Sequence, residues 1–288
     1  MKLGIDMGGM SIKMGLVNEE NKIIGRITIP TDLTVPYQTL VERMADAVRQ
    51  MLENAGMTLE QCEGIGIGSP GTIDAKQGVI LYSNNFGWEN VPIVEELKKH
   101  LDTRIEIAND ADAAALGEVC AGAAEGAENA VLLTLGTGVG SGVILDKKIF
   151  RGAMPGGCEL GHLSIRYDGI RCTCGRKGCL EAYASASALL RIAREKAAEH
   201  PESIMNEMCG NDLEQMNGKI PFDAAKAGDE AGMETVKEYE GYLACGIANV
   251  INTFRPEKVI LGGGVAAQRE NLTAPLKGLV KDMCFGGS

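Results

Sequence analysis

Basic residues are in short supply: 28 Lys and Arg stand against 39 Asp and Glu, for a net charge of −11. That balance argues against nucleic acid or an anionic membrane as the main ligand. It leaves phosphorylated ligands open, because a Gly-rich loop and a divalent cation hold phosphates locally. No apolar run reaches the length of a membrane span. Met1-Lys2 leads straight into Leu3-Gly4-Ile5-Asp6, with none of the apolar segment of a signal peptide, so a cytoplasmic location is expected. The nine Cys are an odd number. Six are scattered (62, 120, 158, 209, 245 and 284), and three cluster at Cys172, Cys174 and Cys179. Without a secretory signal this reads as reduced thiols plus one metal site, not a disulfide framework. Aromatics are scarce at 4%, whereas Gly is abundant at 38 residues, which predicts tight turns and close backbone approach to ligands. The remaining composition, 45% hydrophobic and 23% charged over 288 residues, suits one or two domains with a sizeable core.

Periodicity predicts alternating strands and helices, hence a mixed α/β fold in two lobes. Three short strands are expected over 3–29 and a helix over 37–54, with Leu40, Met44, Val48 and Leu52 at helical spacing. Strands follow at 64–68, 79–82 and 104–108, with a helix over 91–100 between the last two. Asn109-Asp110 opens an Ala-rich helix over 111–120, a favoured capping arrangement. The loop from Gly122 to Asn129 is the domain-boundary candidate, giving lobes of 1–121 and 122–288. Strand, Gly turn and strand then recur at 130–145, a weak internal duplication. Helices are expected from Glu181 onward, including 234–254, then a strand at 259–261.

Three Gly turns each follow an apolar strand: Asp6-Met7-Gly8-Gly9-Met10-Ser11-Ile12-Lys13, Gly136-Thr137-Gly138 and Gly262-Gly263-Gly264. Gly lets backbone N–H groups approach phosphate oxygens with no Cβ in the way. A Walker A loop is absent, and Gly8, Gly9 and Gly15 fail the Rossmann spacing. One such turn alone reads as a tight hairpin. Three, with Asp6 placed to face Mg²⁺ through water, read as nucleotide binding. The arrangement resembles the two-lobed ATPase fold of actin and hexokinase (ribonuclease H-like), whose hairpins grip phosphates in an interdomain cleft.

His162 precedes Cys172-Thr173-Cys174-Gly175-Arg176-Lys177-Gly178-Cys179 by ten residues. One His and three Cys make a tetrahedral Zn²⁺ set, against a bland reading as free thiols or a redox pair. Four protein ligands fill the coordination, so the metal would be structural.

Together, Glu159-Leu160-Gly161-His162 and Cys172-x-Cys174-Gly175-x-x-Gly178-Cys179-Leu180-Glu181 resemble the signature of the ROK family (repressors, open reading frames, kinases). Asp6 to Gly9, Asn109-Asp110-Ala111-Asp112, the later Gly turns, Ser69-Pro70-Gly71 and Asn85-Phe86-Gly87-Trp88 match its other motifs in order over nearly the whole chain. Three departures stand out: Met10 in place of Thr, with Ser11 beside it; Asp112 in place of Asn; and an end at Cys284-Phe285-Gly286-Gly287-Ser288, where relatives continue through a further strand and helix.

The resemblance implies an ATP-dependent sugar kinase, most similar to bacterial glucokinases of this family, acting in carbohydrate metabolism. It implies Asp110 as catalytic base. Gly71, one or both of Asn84 and Asn85, Asn109, Glu159, His162 and Glu181 would hold the sugar. Asp6, Gly8, Gly9, Ser11, Lys13, Gly136, Thr137, Gly138, Gly262, Gly263 and Gly264 would hold ATP and Mg²⁺, and His162, Cys172, Cys174 and Cys179 the zinc. Glucose is the expected substrate; N-acetylmannosamine, N-acetylglucosamine, fructose, mannose and allose are the alternatives. A sugar-sensing regulator without catalysis is the rival class. The phosphate hairpin begins at Leu3, where such repressors carry a helix-turn-helix. A homodimer is implied. Bland readings sit beside several of these: a plain helix cap for Asn109-Asp110, a surface carboxylate for Glu159, a favourable helix start for Glu181 and packing for Trp88.

Overall fold

A computed structural model describes residues 1–286. The strands are β1 (Lys2–Met7), β2 (Ser11–Val17), β3 (Ile23–Pro30), β4 (Ile65–Ser69), β5 (Thr72–Asp74), β6 (Val79–Ser83), β7 (Trp88–Val91), β8 (Ile105–Asn109), β9 (Ala130–Leu135), β10 (Val139–Leu145), β11 (Lys148–Ile149) and β12 (Lys258–Gly262). The helices are α1 (Tyr37–Asn54), α2 (Ile93–Lys98), α3 (Asp110–Ala121), α4 (Glu181–Ala184), α5 (Ala186–Glu199), α6 (Ile204–Met208), α7 (Ile220–Lys226), α8 (Glu230–Phe254) and α9 (Glu270–Met283).

The chain divides into two compact units. The first comprises Met1–Glu128 and Gly142–Cys158, the second Asn129–Ser141 and Glu159–Ser288, of which Gly287 and Ser288 lie outside the described residues. The first crossing falls within the Gly122–Asn129 loop. The chain then crosses back inside β10, so the stretch around β11 belongs to the first unit.

In the first unit a five-stranded sheet runs β3-β2-β1-β4-β8. β1, β2 and β3 form an antiparallel meander, while β1, β4 and β8 pair in parallel. The parallel register sets Asp6 beside Gly68, and Ser69 beside Asn109, at one end of the sheet. The core is made by alternation: Leu3, Ile5 and Met7 of β1 and Ile12, Met14 and Leu16 of β2 are buried. They pack with Leu40, Met44, Val48 and Met51 along one stripe of α1. β5, β6 and β7 add a small antiparallel sheet. The segment around Asn85-Phe86-Gly87-Trp88 therefore leads into a strand, and Val91 closes that strand where the sequence pattern predicts the start of a helix; α2 begins two residues later, after Pro92.

In the second unit β9 pairs in parallel with β12, and Thr134 lies beside Gly262. α8 packs against α4, α5, α7 and α9. It ends at Arg255, in the left-handed conformation (φ 47°), and Pro256 bars its continuation. Residue 285 is tied back to this helix, the Phe285 N–H donating to Asn252 Oδ1 at 2.9 Å.

Glu240 of α8 is 5% exposed and its Oε1 has no hydrogen-bond partner. Burial raises its carboxyl to about 7. The folded chain thus holds this proton more tightly than the unfolded chain, whose ordinary value is 4.5. Stability is therefore lost progressively as pH rises from about 4.5 to about 7, and the loss is complete above that window. Glu240→Gln keeps the shape and removes the charge. It is expected to gain about 1–3 kcal/mol at pH 8 and nearly nothing at pH 4.5, read from denaturant unfolding at the two pH values. An equal effect at both would contradict a buried ionisation.

Candidate functional site

In the first unit the turn between β1 and β2 is closed by the Gly8 N–H donating to Ser11 O at 3.0 Å and by Thr31 Oγ1 donating to Gly8 O at 2.6 Å. Met10 stands at its tip, 90% exposed, so its apolar side chain packs on nothing there. Asp6 forms an ion pair with Lys13 at 3.7 Å, its register partner on β2. The Asn84-Asn85 segment lies near this turn, with Asn85 Cβ 4.0 Å from where a side chain on Gly9 would begin. Asn84 Oδ1 meets the Tyr82 hydroxyl at 3.5 Å. Trp88 packs against Phe86 (ring centroids 4.8 Å apart) and Tyr37 (6.1 Å), which assigns it to the core.

Asn109 and Asp110 form the corner between β8 and α3. Asn109 caps the helix, Oδ1 accepting from the Ala111 N–H at 2.9 Å, and its Nδ2 donates to Gly71 O at 3.2 Å. One side chain thus fixes the helix start and the Ser69-Pro70-Gly71 loop together. Asp110 Oδ1 also accepts from the Ala111 N–H, at 2.9 Å. The outer side of Asp110 meets solvent, yet the surrounding protein desolvates its carboxyl and raises it above the ordinary carboxylate value. The charge of Asp6 pushes the same way, against the Ala111 N–H. A cavity of about 500 Å³ opens beside this corner, lined by Gly71, Asn109, Asp112 and Arg151 among others. Asp112 is 3% exposed and pairs with Arg151 Nε at 3.6 Å, so the departure from Asn at this position comes with a cationic partner.

In the second unit Glu159 precedes a single short turn, Leu160–His162, pinned by the Leu160 N–H donating to Ser141 Oγ at 2.9 Å. Next comes the Cys loop. His162, Cys172, Cys174 and Cys179 offer four ligand atoms within 4.8 Å of one another. Cys174 Sγ lies 3.6 Å from Cys179 Sγ, and Cys172 Sγ lies 3.7 Å from His162 Nδ1. A tetrahedral zinc with Zn–S bonds of about 2.3 Å separates its sulfurs by about 3.8 Å, so the donor set matches a zinc ion in type, number and spacing. Arg176 donates to His162 O and also reaches Cys179 Sγ at 3.8 Å, which ties the two ends of the ligand set together. Gly178 has φ +78°, and any side chain at this position would collide with Arg166 O, so only Gly closes the loop.

Glu181 opens α4 directly after the loop. Its Oε1 accepts from Thr173 Oγ1 at 2.8 Å and its Oε2 from the Val139 N–H at 3.1 Å, just past Gly136-Thr137-Gly138. Gly263 reaches the same strand end, a Cβ there falling 2.5 Å from Leu135 O. Within this unit the second and third Gly turns, Glu181 and the Cys loop are therefore neighbours. Thr173 and Ser187, which hold these parts, carry no motif signal: the first fills a variable position between two ligands, and the second lies beyond the signature.

The sequence model of the ROK family matches residues 2–287. The chain belongs to the ROK family. Over 281 residues it is 37% identical to a glucokinase of Thermotoga maritima, covering 97% of this chain and 87% of that one. Among solved structures it is similar to a ROK family glucokinase from Streptomyces griseus in complex with glucose and AMPPNP. That match has a TM-score of 0.79 and 31% identity, and covers 100% of this chain and 90% of that one. The ROK hexokinase of Thermus thermophilus gives a TM-score of 0.81 at 31% identity, covering 98% and 88%. The ROK assignment carries the fold with it: the α/β units are those of the actin-like kinases. No helix among the described residues is long and apolar enough to cross a membrane.

Proposed function

We propose that the chain transfers the γ-phosphoryl group of ATP to a hydroxyl of a hexose, with glucose as substrate and glucose 6-phosphate as product. The observation that carries this reading is the Asn109-Asp110 corner. There a carboxyl raised by burial stands at the same sheet end as Asp6 and the Gly8-Gly9 turn. The glucose and AMPPNP held by the Streptomyces griseus relative support it.

Asp110 accepts the sugar hydroxyl proton as the O–P bond forms and the bond to the departing ADP breaks; a carboxylate raised toward neutral pH is a stronger base than a free one. Asn109 and Gly71 hold a neighbouring hydroxyl, with one or both of Asn84 and Asn85. Glu159, Glu181 and the ring nitrogen of His162 not turned to Cys172 supply further paired hydrogen bonds. Gly8, Gly9, Ser11 and Lys13 and the Gly136–Gly138 turn contact phosphates, and Gly262–Gly264 the nucleoside. His162, Cys172, Cys174 and Cys179 hold a structural zinc that orients His162. Asp6 suits Mg²⁺, which binds through one or two carboxylates plus substrate phosphates and supplies charge neutralisation when bound. The protein acts as a homodimer in the cytoplasm.

A panel of sugars with ATP and Mg²⁺, followed by ADP release, tests the assignment. Glucose is expected to give a kcat/KM at least tenfold above N-acetylmannosamine, N-acetylglucosamine, fructose, mannose and allose. A preference for any of these would replace the substrate; ADP release with none of them would remove the kinase.

A further inference from the structure

The Gly136–Gly138 turn is held almost entirely from outside itself. Its one internal bond runs from the Gly136 N–H to Gly138 O at 3.0 Å. The Ala186 N–H donates to Gly136 O at 2.8 Å, and Ser187 Oγ donates to Thr137 O at 2.9 Å. Glu181 Oε2 accepts from the Val139 N–H at 3.1 Å. Two carbonyls of the turn and the N–H just past it are thus fixed by residues 181–187, at the α4–α5 junction. A side chain at Gly138 would strike the Glu181 carboxylate and force it to shift from this position.

These contacts leave a distinctive surface. The carbonyls of Gly136, Thr137 and Gly138 all have partners, while the Thr137 and Gly138 N–H groups have none among the described residues. Thr137 is exposed and Gly138 half-buried. Adjacent unpaired N–H groups at an accessible turn are the donor arrangement that receives phosphate oxygens.

The other end of the tie lies in the Cys loop. Glu181 Oε1 accepts from Thr173 Oγ1 at 2.8 Å and meets Cys172 Sγ at 3.5 Å. Thr173 sits between two members of the ligand set, so its hydroxyl goes where the knuckle places it. A carboxylate gripped at both oxygens cannot turn without letting go of one partner.

We propose that Glu181 ties the Cys knuckle to the Gly136–Gly138 turn, and that Thr173 and Ser187 are positioning residues for nucleotide binding. The knuckle then governs ATP affinity as well as sugar affinity. This rests on reading the turn as a phosphate site. Thr173 acts through the knuckle and Ser187 independently of it, so the two variants probe different ends of one device.

Calorimetry with AMPPNP and Mg²⁺, in the absence of sugar, tests it on zinc-loaded protein with the metal content measured. Thr173→Val is expected to weaken AMPPNP five- to tenfold at one zinc per chain, and Thr173→Ser to restore it within twofold. Ser187→Ala is expected to weaken AMPPNP three- to tenfold and leave the glucose Kd within twofold. Parental AMPPNP affinity in zinc-loaded Thr173→Val overturns the tie alone. Absence of AMPPNP binding by the parent protein overturns the phosphate reading along with it. If Thr173→Val fails to retain zinc, Ser187→Ala decides: parental AMPPNP affinity there overturns the proposal.

Discussion

Asp110→Asn is expected to lower kcat about a thousandfold while leaving the glucose Kd within about threefold of the parent. Asn keeps the size and the bond to the Ala111 N–H but cannot take a proton. The Asn109 contact to Gly71 is untouched, so the sugar still finds its neighbours. A positioned base contributes about 10²–10⁴-fold, so a loss of this size falls on kcat and not on binding. The pH dependence gives a second signature. Burial raises the Asp110 carboxyl, and activity needs its carboxylate form. The acid limb of kcat/KM should therefore lie above the ordinary aspartate value of 3.8, and the variant should lose that limb. Thermal unfolding separates this from damage to the fold. A carboxyl raised by folding opposes stability once ionised, so the variant should melt no lower than the parent at pH 8. Near-parental kcat would remove Asp110 from the chemistry.

Removing the zinc, by a chelator or by Cys179→Ser, is expected to lower kcat/KM for glucose at least a hundredfold, chiefly through KM. Residues 163–180 are held by loop hydrogen bonds, such as the Leu180 N–H to Leu163 O at 2.8 Å, and by almost no regular secondary structure. Two isolated bridges, Ser164 with Cys179 and Arg171 with Lys177, are the regular pairing recorded for this stretch. Structural zinc supplies about 10–16 kcal/mol of apparent binding energy in small metal-folded peptides, comparable with the whole stability of a domain. Cys179 is fully buried and leads through Leu180 into Glu181, so loss of the ion displaces a proposed sugar ligand directly. The checks are zinc content, with one per chain expected in the parent, and glucose Kd before and after chelation. Full glucose affinity in protein shown to lack zinc would end the argument that the knuckle supports the pocket.

Much of this was legible because the signals are local. Strand-to-Gly turns, the Asn-Asp cap and the ligand spacing each occupy fewer than about twenty residues, and each depends on local chemistry that sequence displays directly. The parallel partners β1, β4 and β8 could be placed as strands, since Ile65-Gly66-Ile67 and Ile105-Glu106-Ile107 alternate. What escaped depends on tertiary contact. The short strands β5 and β7 gain their character from pairing with β6, not from their own residues. α9 carries Pro275 inside it, which interrupts a helical pattern. The crossing back to the first unit inside β10 has no compositional mark, because Gly140-Ser141-Gly142 reads as one continuous strand. Asp112 showed only as a departure until Arg151 supplied its partner. Glu181 read as a helix start with a sugar role, whereas its two oxygens also join the Cys loop to a Gly turn 42 residues earlier in the chain.

The most direct test of the central claim is the identity of the product. With ATP, Mg²⁺ and glucose labelled with ¹³C at C6, phosphorus–carbon coupling in the NMR spectrum is expected to place the new phosphate on O6, one glucose 6-phosphate for each ADP. ADP formed without a phosphorylated sugar, or phosphate on another hydroxyl, would contradict it.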